Sequence, residues 1–422
     1  MAGRGSVRVS AEYGDGHLAF ALERSRLRGI LQPRDADAVA DLQAAVERSL
    51  ARPVASPSLK KVLARARTAL ILTVNHTRPS PRPLLLPILA ECDRQGIAAT
   101  ICIATGRHRR MTRAELKRHL GDDVLRKHQV VQHDPFDRRA HRRLGQTKFG
   151  TEILVNRILF EHDRVIGTGI IEPSYLAGWS GGRKLLMPGI AFHTSIDSNH
   201  FLLTDPRTKI GSLRGNPLSD DAEEFSRACP YHFICYAVCG ADDQVVAVVS
   251  GDPYKAHERA CRRSAPIYRV RAKPAPIVVS SAGGYPYDCD LVQGKKAIVP
   301  AIELVERNGV AILLAACKEG LGAEKTFIDW LREKTPAEVV ADVCKCQLFS
   351  LGAHGANILA RPIVEKNATV VLVTQPKVAK ALEGTYVRAV TRFEDAWELA
   401  NGLCGRRAGV LVLRKARRLI CT

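Results

Sequence analysis

Short apolar, β-branched runs alternate with longer amphipathic stretches along this chain, the signature of a parallel α/β protein. Thr68–Val74 (TALILTV) predicts a buried strand that opens into the polar loop Asn75-His76-Thr77-Arg78-Pro79. A helix is predicted over Leu84–Gln95, a second strand over Ala98–Ala104, and a loop over Thr105–Arg110. Thr112 followed by Glu115 has the spacing of a capping box, which predicts a helix start. Arg164–Gly169 predicts a further strand, which runs into the glycine-rich segment Ile170–Ile190. After a charged helix from Tyr254 to about Ser264 and a polar turn at Arg269–Pro274, a new α/β rhythm begins. It predicts a strand at Ala275–Ser281, a helix from about Leu291 to Asn308, and a strand at Val310–Ala316. Strands near Ala368–Thr374 and Gly409–Leu413 follow, with helices near Pro376–Leu382 and Phe393–Leu403. The expected architecture is therefore a two-domain α/β fold, each domain with a mainly parallel sheet flanked by helices. The boundary is placed near 265–274, giving an N-terminal domain 1–268 and a C-terminal domain 269–422.

Composition narrows the class. Hydrophobic residues make up 46% and charged residues 25% of the 422 positions, as in an ordinary globular enzyme, so a disordered or collagenous chain is excluded. No apolar run approaches 18 residues, so no membrane-spanning helix is expected, and the polar Met1–Ser10 segment lacks the apolar core of a secretory signal. A cytoplasmic protein with reduced thiols is the corresponding expectation. Among the twelve cysteines the only close pairs, Cys235 with Cys239 and Cys344 with Cys346, lack zinc-site spacing.

The balance of 63 Lys and Arg against 43 Asp and Glu gives a net charge of +20, and residues 104–148 alone carry 13 basic and 5 acidic side chains. Such an excess suits nucleic acid. Yet aromatic residues are only 5% of the chain and no zinc-finger, RRM or helix-turn-helix pattern is present. Nucleic-acid binding is therefore not the expected role, and a solvated basic surface is the simpler reading.

Polar residues that follow apolar strands are where open α/β folds place their chemistry. Four such loops stand out: Asn75–Pro79; Thr105-Gly106-Arg107-His108; Glu172–Lys184 with its continuation through Pro188-Gly189 to Asn199-His200; and Gly283–Asp288 followed by Gln293 and Lys296. Gly178–Lys184 is not a Walker loop, because its spacing is wrong and Leu185 stands where a magnesium-binding hydroxyl belongs. Gly167-Thr168-Gly169 lacks the third glycine of a dinucleotide fingerprint. Together, in order and interval, the four loops resemble the nickel-dependent lactate racemase family, enzymes that use a nickel-pincer nucleotide. The block SGGRKLLMPGI…NH, Ser180 to His200, is the most specific part.

The resemblance implies roles residue by residue. Lys184, after Gly181 and Gly182, matches the lysine that carries the cofactor covalently, and His200 matches the nickel ligand. His108 matches a catalytic histidine that takes the substrate's hydroxyl proton. Arg78, Gln293 and Lys296 match positions that hold the carboxylate and carbonyl oxygen of a small anionic 2-hydroxy acid. The expected active site lies between the two domains, and enzymes of cofactor synthesis are the expected loading partners. In the family chemistry the α-hydrogen leaves as hydride, which avoids a dianion, and its return to the other face of a 2-keto acid inverts the centre.

Three departures from the lactate racemase pattern bear on the substrate. Ser174 stands in Glu172-Pro173-Ser174-Tyr175 where the family has a second catalytic histidine. Asn75 replaces an aspartate, and no tryptophan occurs around Gly352–Gly355. A serine hydroxyl is a poor substitute for imidazole as a base near neutral pH. The leading expectation is thus a racemase or epimerase of a 2-hydroxy acid other than lactate, such as a sugar acid. One rival is a one-base hydride-transfer or elimination enzyme that uses only His108. Another is a homologue that has lost the chemistry and binds a nucleotide or nucleic acid.

Overall fold

A computed structural model describes residues 5–322, 324–345 and 351–421. The chain forms two compact units, Arg34–Ile267 and a second that joins the N-terminal segment up to Pro33 to everything from Tyr268 onward.

The Arg34–Ile267 unit is built on a six-stranded sheet. Its strands run in the order Val245–Gly251, Phe233–Cys239, Arg164–Ile171, Thr68–Thr73, Ala98–Ile103, Gln129–Gln132. Every neighbouring pair is parallel except the edge strand Val245–Gly251. Thr68–Thr73 and Ala98–Ile103 are buried at all but their first residue, as expected of strands covered on both faces. The intervening helix, Arg82–Arg94, has Pro83 in its first turn, where no N–H is needed. It buries Leu84, Leu85, Ile88 and Leu89 in the core beside Ile71 and Ile101. Thr112 and Glu115 close the predicted capping box at the start of Arg113–Leu120. The remaining elements that matter to the site are a hairpin, His141–Gln146 with Glu152–Asn156, and two helices, His193–Phe201 and Pro217–Arg227.

The second unit has its own six-stranded, all-parallel sheet. The order is Arg388–Val390, Thr369–Val373, Val305–Leu314, Ala275–Ser281, Val410–Leu413, Leu27–Leu31. Two expectations are corrected here. The predicted N-terminal domain of 1–268 loses its first 33 residues to this unit, because Leu27–Leu31 pairs with Val410–Leu413. The preceding hairpin, Ser6–Tyr13 with Gly16–Glu23, lays Val9, Phe20 and Leu22 on the same core. The predicted helix Leu291–Asn308 is also too long: helical structure ends at Leu304 and the strand starts at Val305. The polar run after Val305 is a bulge, since Ala275 pairs with Val305 and Ile277 already pairs with Val310. Asn308 takes a left-handed conformation there, with φ of 58°. A Cβ on Gly309 would come within 2.6 Å of the Pro276 carbonyl oxygen, so only glycine fits the return to the sheet.

Cys102, Cys235, Cys239 and Cys317 are buried. Cys346 lies outside the described residues. No described helix is long and apolar enough to cross a membrane.

Candidate active site

The site in the Arg34–Ile267 unit is assembled where three parallel strands end: Thr73, Ile103 and Ile171. Their loops interlock. The Asn75 amide nitrogen donates to the Thr105 carbonyl at 3.5 Å, and the Gly106 N–H donates to the Gly189 carbonyl at 2.9 Å. Glu172 exchanges main-chain contacts with Ser180: its N–H donates to Ser180 Oγ at 2.8 Å, and the Ser180 N–H returns to its carbonyl at 2.8 Å. Hence the segments carrying Arg78, His108, Ser174 and Lys184 are hydrogen-bonded to one another, although up to about a hundred residues separate them in sequence.

Arg78 is the loop's half-buried cation. Its Nη1 donates to the Thr77 carbonyl at 2.7 Å, and its Nε lies 3.4 Å from Glu172 Oε2. The Glu172 side chain is fully buried, so this pair fixes the guanidinium's orientation. Sequence reasoning gave Glu172 no role; nothing local signals that it reaches a loop almost a hundred residues earlier. Asn75 folds back on its own loop: its Oδ1 accepts from the Thr77 N–H at 3.1 Å and from Thr77 Oγ1 at 2.7 Å. It shapes the loop that presents Arg78.

Lys184 sits in the short 3-10 turn Gly182–Leu185. Desolvation, reinforced by the nearby charges of Arg78 and Arg183, pushes its ammonium down to about 8. Both preceding glycines are required by the backbone. Gly181 has φ of 73° and Gly182 of 54°, and a Cβ would lie 2.5 Å from Ile171 Cδ1 and 2.6 Å from His257 Cγ respectively. His257, a residue the motif search passed over, underpins this turn. It is buried, its Nε2 bonds the Ser180 carbonyl at 2.8 Å, and burial lowers its imidazole to about 3, which keeps it neutral.

His108 is exposed on the Thr105–Arg110 loop, its N–H donating to the Thr105 carbonyl at 3.0 Å. Ser174 lies in a two-residue strand paired with Gly178–Trp179, and its Oγ accepts from the Ala177 N–H at 3.4 Å. His200 is buried near the end of His193–Phe201. His193 opens that helix with its Nδ1 3.9 Å from Asp197 Oδ2. Three arginines of these loops each hold a carboxylate: Arg107 with Asp197, Arg109 with Glu115, and Arg183 with Glu223.

In the second unit, Gln293 and Lys296 occupy the helical turn after Asp290, whose Oδ1 caps the Gln293 N–H at 2.7 Å. Lys296 Nζ donates to Gln293 Oε1 at 2.5 Å, which leaves the buried Gln293 Nε2 without a hydrogen-bond partner. The helix Leu351–Lys366 has no room for a large side chain at two positions of its predicted substrate-facing region. A Cβ on Gly352 would stand 2.2 Å from the Phe327 nitrogen, and one on Gly355 would stand 2.8 Å from Lys295 Cε.

Parallel α/β sheets with interlocked strand-end loops, a desolvated lysine and a buried histidine define a class of small-molecule enzyme, and comparison with known proteins resolves which. The Lactate racemase N-terminal domain model matches residues 13–211, and the Lactate racemase C-terminal domain model matches residues 270–420. The chain belongs to the lactate racemase family, a family of isomerases. It is 30% identical to the lactate racemase of Thermoanaerobacterium thermosaccharolyticum over 420 residues, 96% of this chain and 97% of that one. It is 29% identical to the lactate racemase of Lactiplantibacillus plantarum, over 73% of this chain and 77% of that one. The structure of the Thermoanaerobacterium apoprotein superposes with a TM-score of 0.91 at 29% identity, covering 99% of this chain and all of that one. A Thermotoga maritima structure shares the fold alone, with a TM-score of 0.70 at 19% identity over 92% of this chain and all of that one.

Proposed function

We propose that this protein is a racemase or epimerase of a 2-hydroxy acid other than lactate, acting with a nickel-pincer nucleotide held by Lys184 and His200. The observation that carries the reading is the desolvated Lys184 amine, which feels the charge of Arg78, in the Ser180–His200 block that most resembles the family. The residues suit that cofactor. An amine lowered to about 8 stays mainly protonated at neutral pH but keeps a minor free-base fraction that an ordinary lysine lacks, and that fraction can form the covalent bond. Among the described residues no three His, Cys, Asp or Glu side chains converge to hold a metal. A single imidazole, His200, therefore fits a metal whose other donors come with the cofactor.

When bound, the cofactor supplies an acceptor for the substrate's α-hydride. The protein's own part is binding and proton transfer. Arg78, oriented by Glu172, takes the substrate carboxylate on its remaining guanidinium edge. His108 accepts the hydroxyl proton and returns it, a task suited to imidazole near neutral pH. Gln293 and Lys296 stabilise charge on the substrate oxygen through Nε2 and the ammonium.

Ser174 carries the claim of a different substrate. Without a second imidazole, the base for the opposite enantiomer has to come from elsewhere, and a serine, smaller than histidine, is compatible with a larger acid. The same observation favours a second reading, one-sided hydride transfer or elimination that uses His108 alone. Protein produced with the cofactor-synthesis enzymes should gain the cofactor's mass on Lys184, and K184A should not. A chiral assay over a panel of 2-hydroxy acids, lactate and sugar acids included, then decides. Loss of optical purity in a sugar acid exceeding that in lactate supports the proposal. A fully loaded enzyme that racemises none of them refutes it in favour of the one-base reading.

A further inference from the structure

A buried polar cluster of the Arg34–Ile267 unit is built around Asn199, the residue before His200. Asp221, on the helix Pro217–Arg227, has no solvent exposure. Its Oδ1 accepts from Thr147 Oγ1 at 2.5 Å, and its Oδ2 accepts from Thr151 Oγ1 at 2.9 Å and from Asn199 Nδ2 at 2.7 Å. Asn199 is also fully buried, and the same Nδ2 donates to the Leu218 carbonyl at 3.0 Å. Two acceptors face that nitrogen, so the carboxamide has one possible orientation, and its buried Oδ1 has no hydrogen-bond partner among the described residues. An orphaned buried acceptor is unfavourable. The anchoring of Asn199 is thus maintained against a penalty.

The cluster joins three elements at one point. Thr147 and Thr151 are the ends of the hairpin's connecting loop, Asp221 belongs to the Pro217–Arg227 helix, and Asn199 belongs to the helix that carries His200. A second tie holds the same helix one turn earlier: Ser195 Oγ donates to the Glu152 carbonyl at 2.5 Å. A helix residue adjacent to a ligand fixes the ligand's backbone, and metal sites lose much of their affinity when such outer groups are removed.

We infer that Asp221, acting through Asn199, is the positioning residue that sets His200 for metal binding. This rests on the proposed role of His200, and the test separates the two. Wild type, H200A, D221A, D221N and N199A are each produced with the cofactor-synthesis enzymes. Three quantities are measured: the adduct on Lys184 by intact mass, nickel per chain, and the half-life of nickel against EDTA. I101A, a core-strand variant away from the cluster, controls for general destabilisation.

The expected result is a normal Lys184 adduct in D221A and N199A with nickel lost about tenfold faster or more. D221N, which keeps two acceptor lone pairs, should fall between, and I101A should hold nickel like wild type. Nickel retention in D221A and N199A equal to wild type overturns the inference, as does equal loss from I101A. If D221A fails to fold, D221N and N199A decide by the same criterion. A wild-type protein that takes up no nickel, or an H200A protein that keeps it, overturns the functional reading and this inference with it.

Discussion

Replacing Lys184 by methionine should stabilise the apoprotein at neutral pH and cease to do so in alkali. The folded protein lowers the Lys184 ammonium from 10.5 to about 8, chiefly by desolvation and then by Arg78 and Arg183. That gap corresponds to about 3 kcal/mol. Its sign follows from proton counting. Below pH 8 both folded and unfolded chains carry the proton, and the folded state bears the whole penalty. Between 8 and 10.5 the folded amine has released its proton while the unfolded one retains it, so stability rises with pH. Above 10.5 the penalty is gone. Methionine keeps the length and apolar stem without the charge, so packing changes little. Urea unfolding of wild type and K184M at pH 7 and pH 10 measures the difference directly. At pH 7, K184M should be the more stable by up to about 3 kcal/mol; the half-buried side chain makes this an upper value. At pH 10 the advantage should fall below about 1 kcal/mol. A variant no more stable than wild type at pH 7, or one whose advantage does not change with pH, refutes the view that the amine is held against its solvation.

Three other substitutions test the rest of the site. R78M strands the buried Glu172 carboxylate and should cost about 3 kcal/mol, part of it recovered in R78M/E172Q, as read from a double-mutant cycle in urea. In the loaded enzyme, E172Q should raise KM more than it lowers kcat, because it loosens the guanidinium that binds substrate. G182A must hold φ of 54° with a Cβ against His257, a loss of roughly 2–4 kcal/mol seen as an earlier urea midpoint. S174H restores the second imidazole of the family pattern. Polarimetry on D-lactate should then show racemisation faster by about 10²-fold, and an unchanged rate would remove Ser174 from the account of substrate choice.

Much of the parallel architecture was legible in the sequence because buried parallel strands are unbroken apolar runs, and Thr68–Thr73, Ala98–Ile103 and Ala275–Ser281 fall where the pattern puts them. The elements that escaped lack that signal. Leu27–Leu31 alternates half-buried and exposed positions at a sheet edge, so it reads as linker, and its pairing with Val410–Leu413 spans nearly the whole chain. Glu306-Arg307-Asn308 reads as helix by propensity, but a left-handed Asn308 turns it into a bulge. At the site, the family resemblance singled out Lys184 and His200 but not the groups packed around the loops. His257 packs on Gly182 from 75 residues downstream, and Glu172 reaches back to Arg78. Such partners are fixed by tertiary proximity, which no local pattern encodes.

Charge is where structure changes the picture most. Of the basic residues between 104 and 148, Arg107, Arg109, Lys117, Lys127 and Arg143 each hold a carboxylate of a nearby element. Much of that stretch is therefore locally neutralised and presents less of a field to a polyanion than its count suggests. Inside the site the balance runs the other way. Arg78 has Glu172 and Arg183 has Glu223, whereas the side-chain amine of Lys184, which feels both guanidinium groups, has no hydrogen bond or ion pair among the described residues. An uncompensated amine in a desolvated turn is poorly placed for stability and well placed for bond formation. Covalent attachment removes the charge and with it the source of the penalty. The same burial that destabilises the empty fold near neutral pH would favour the loaded one.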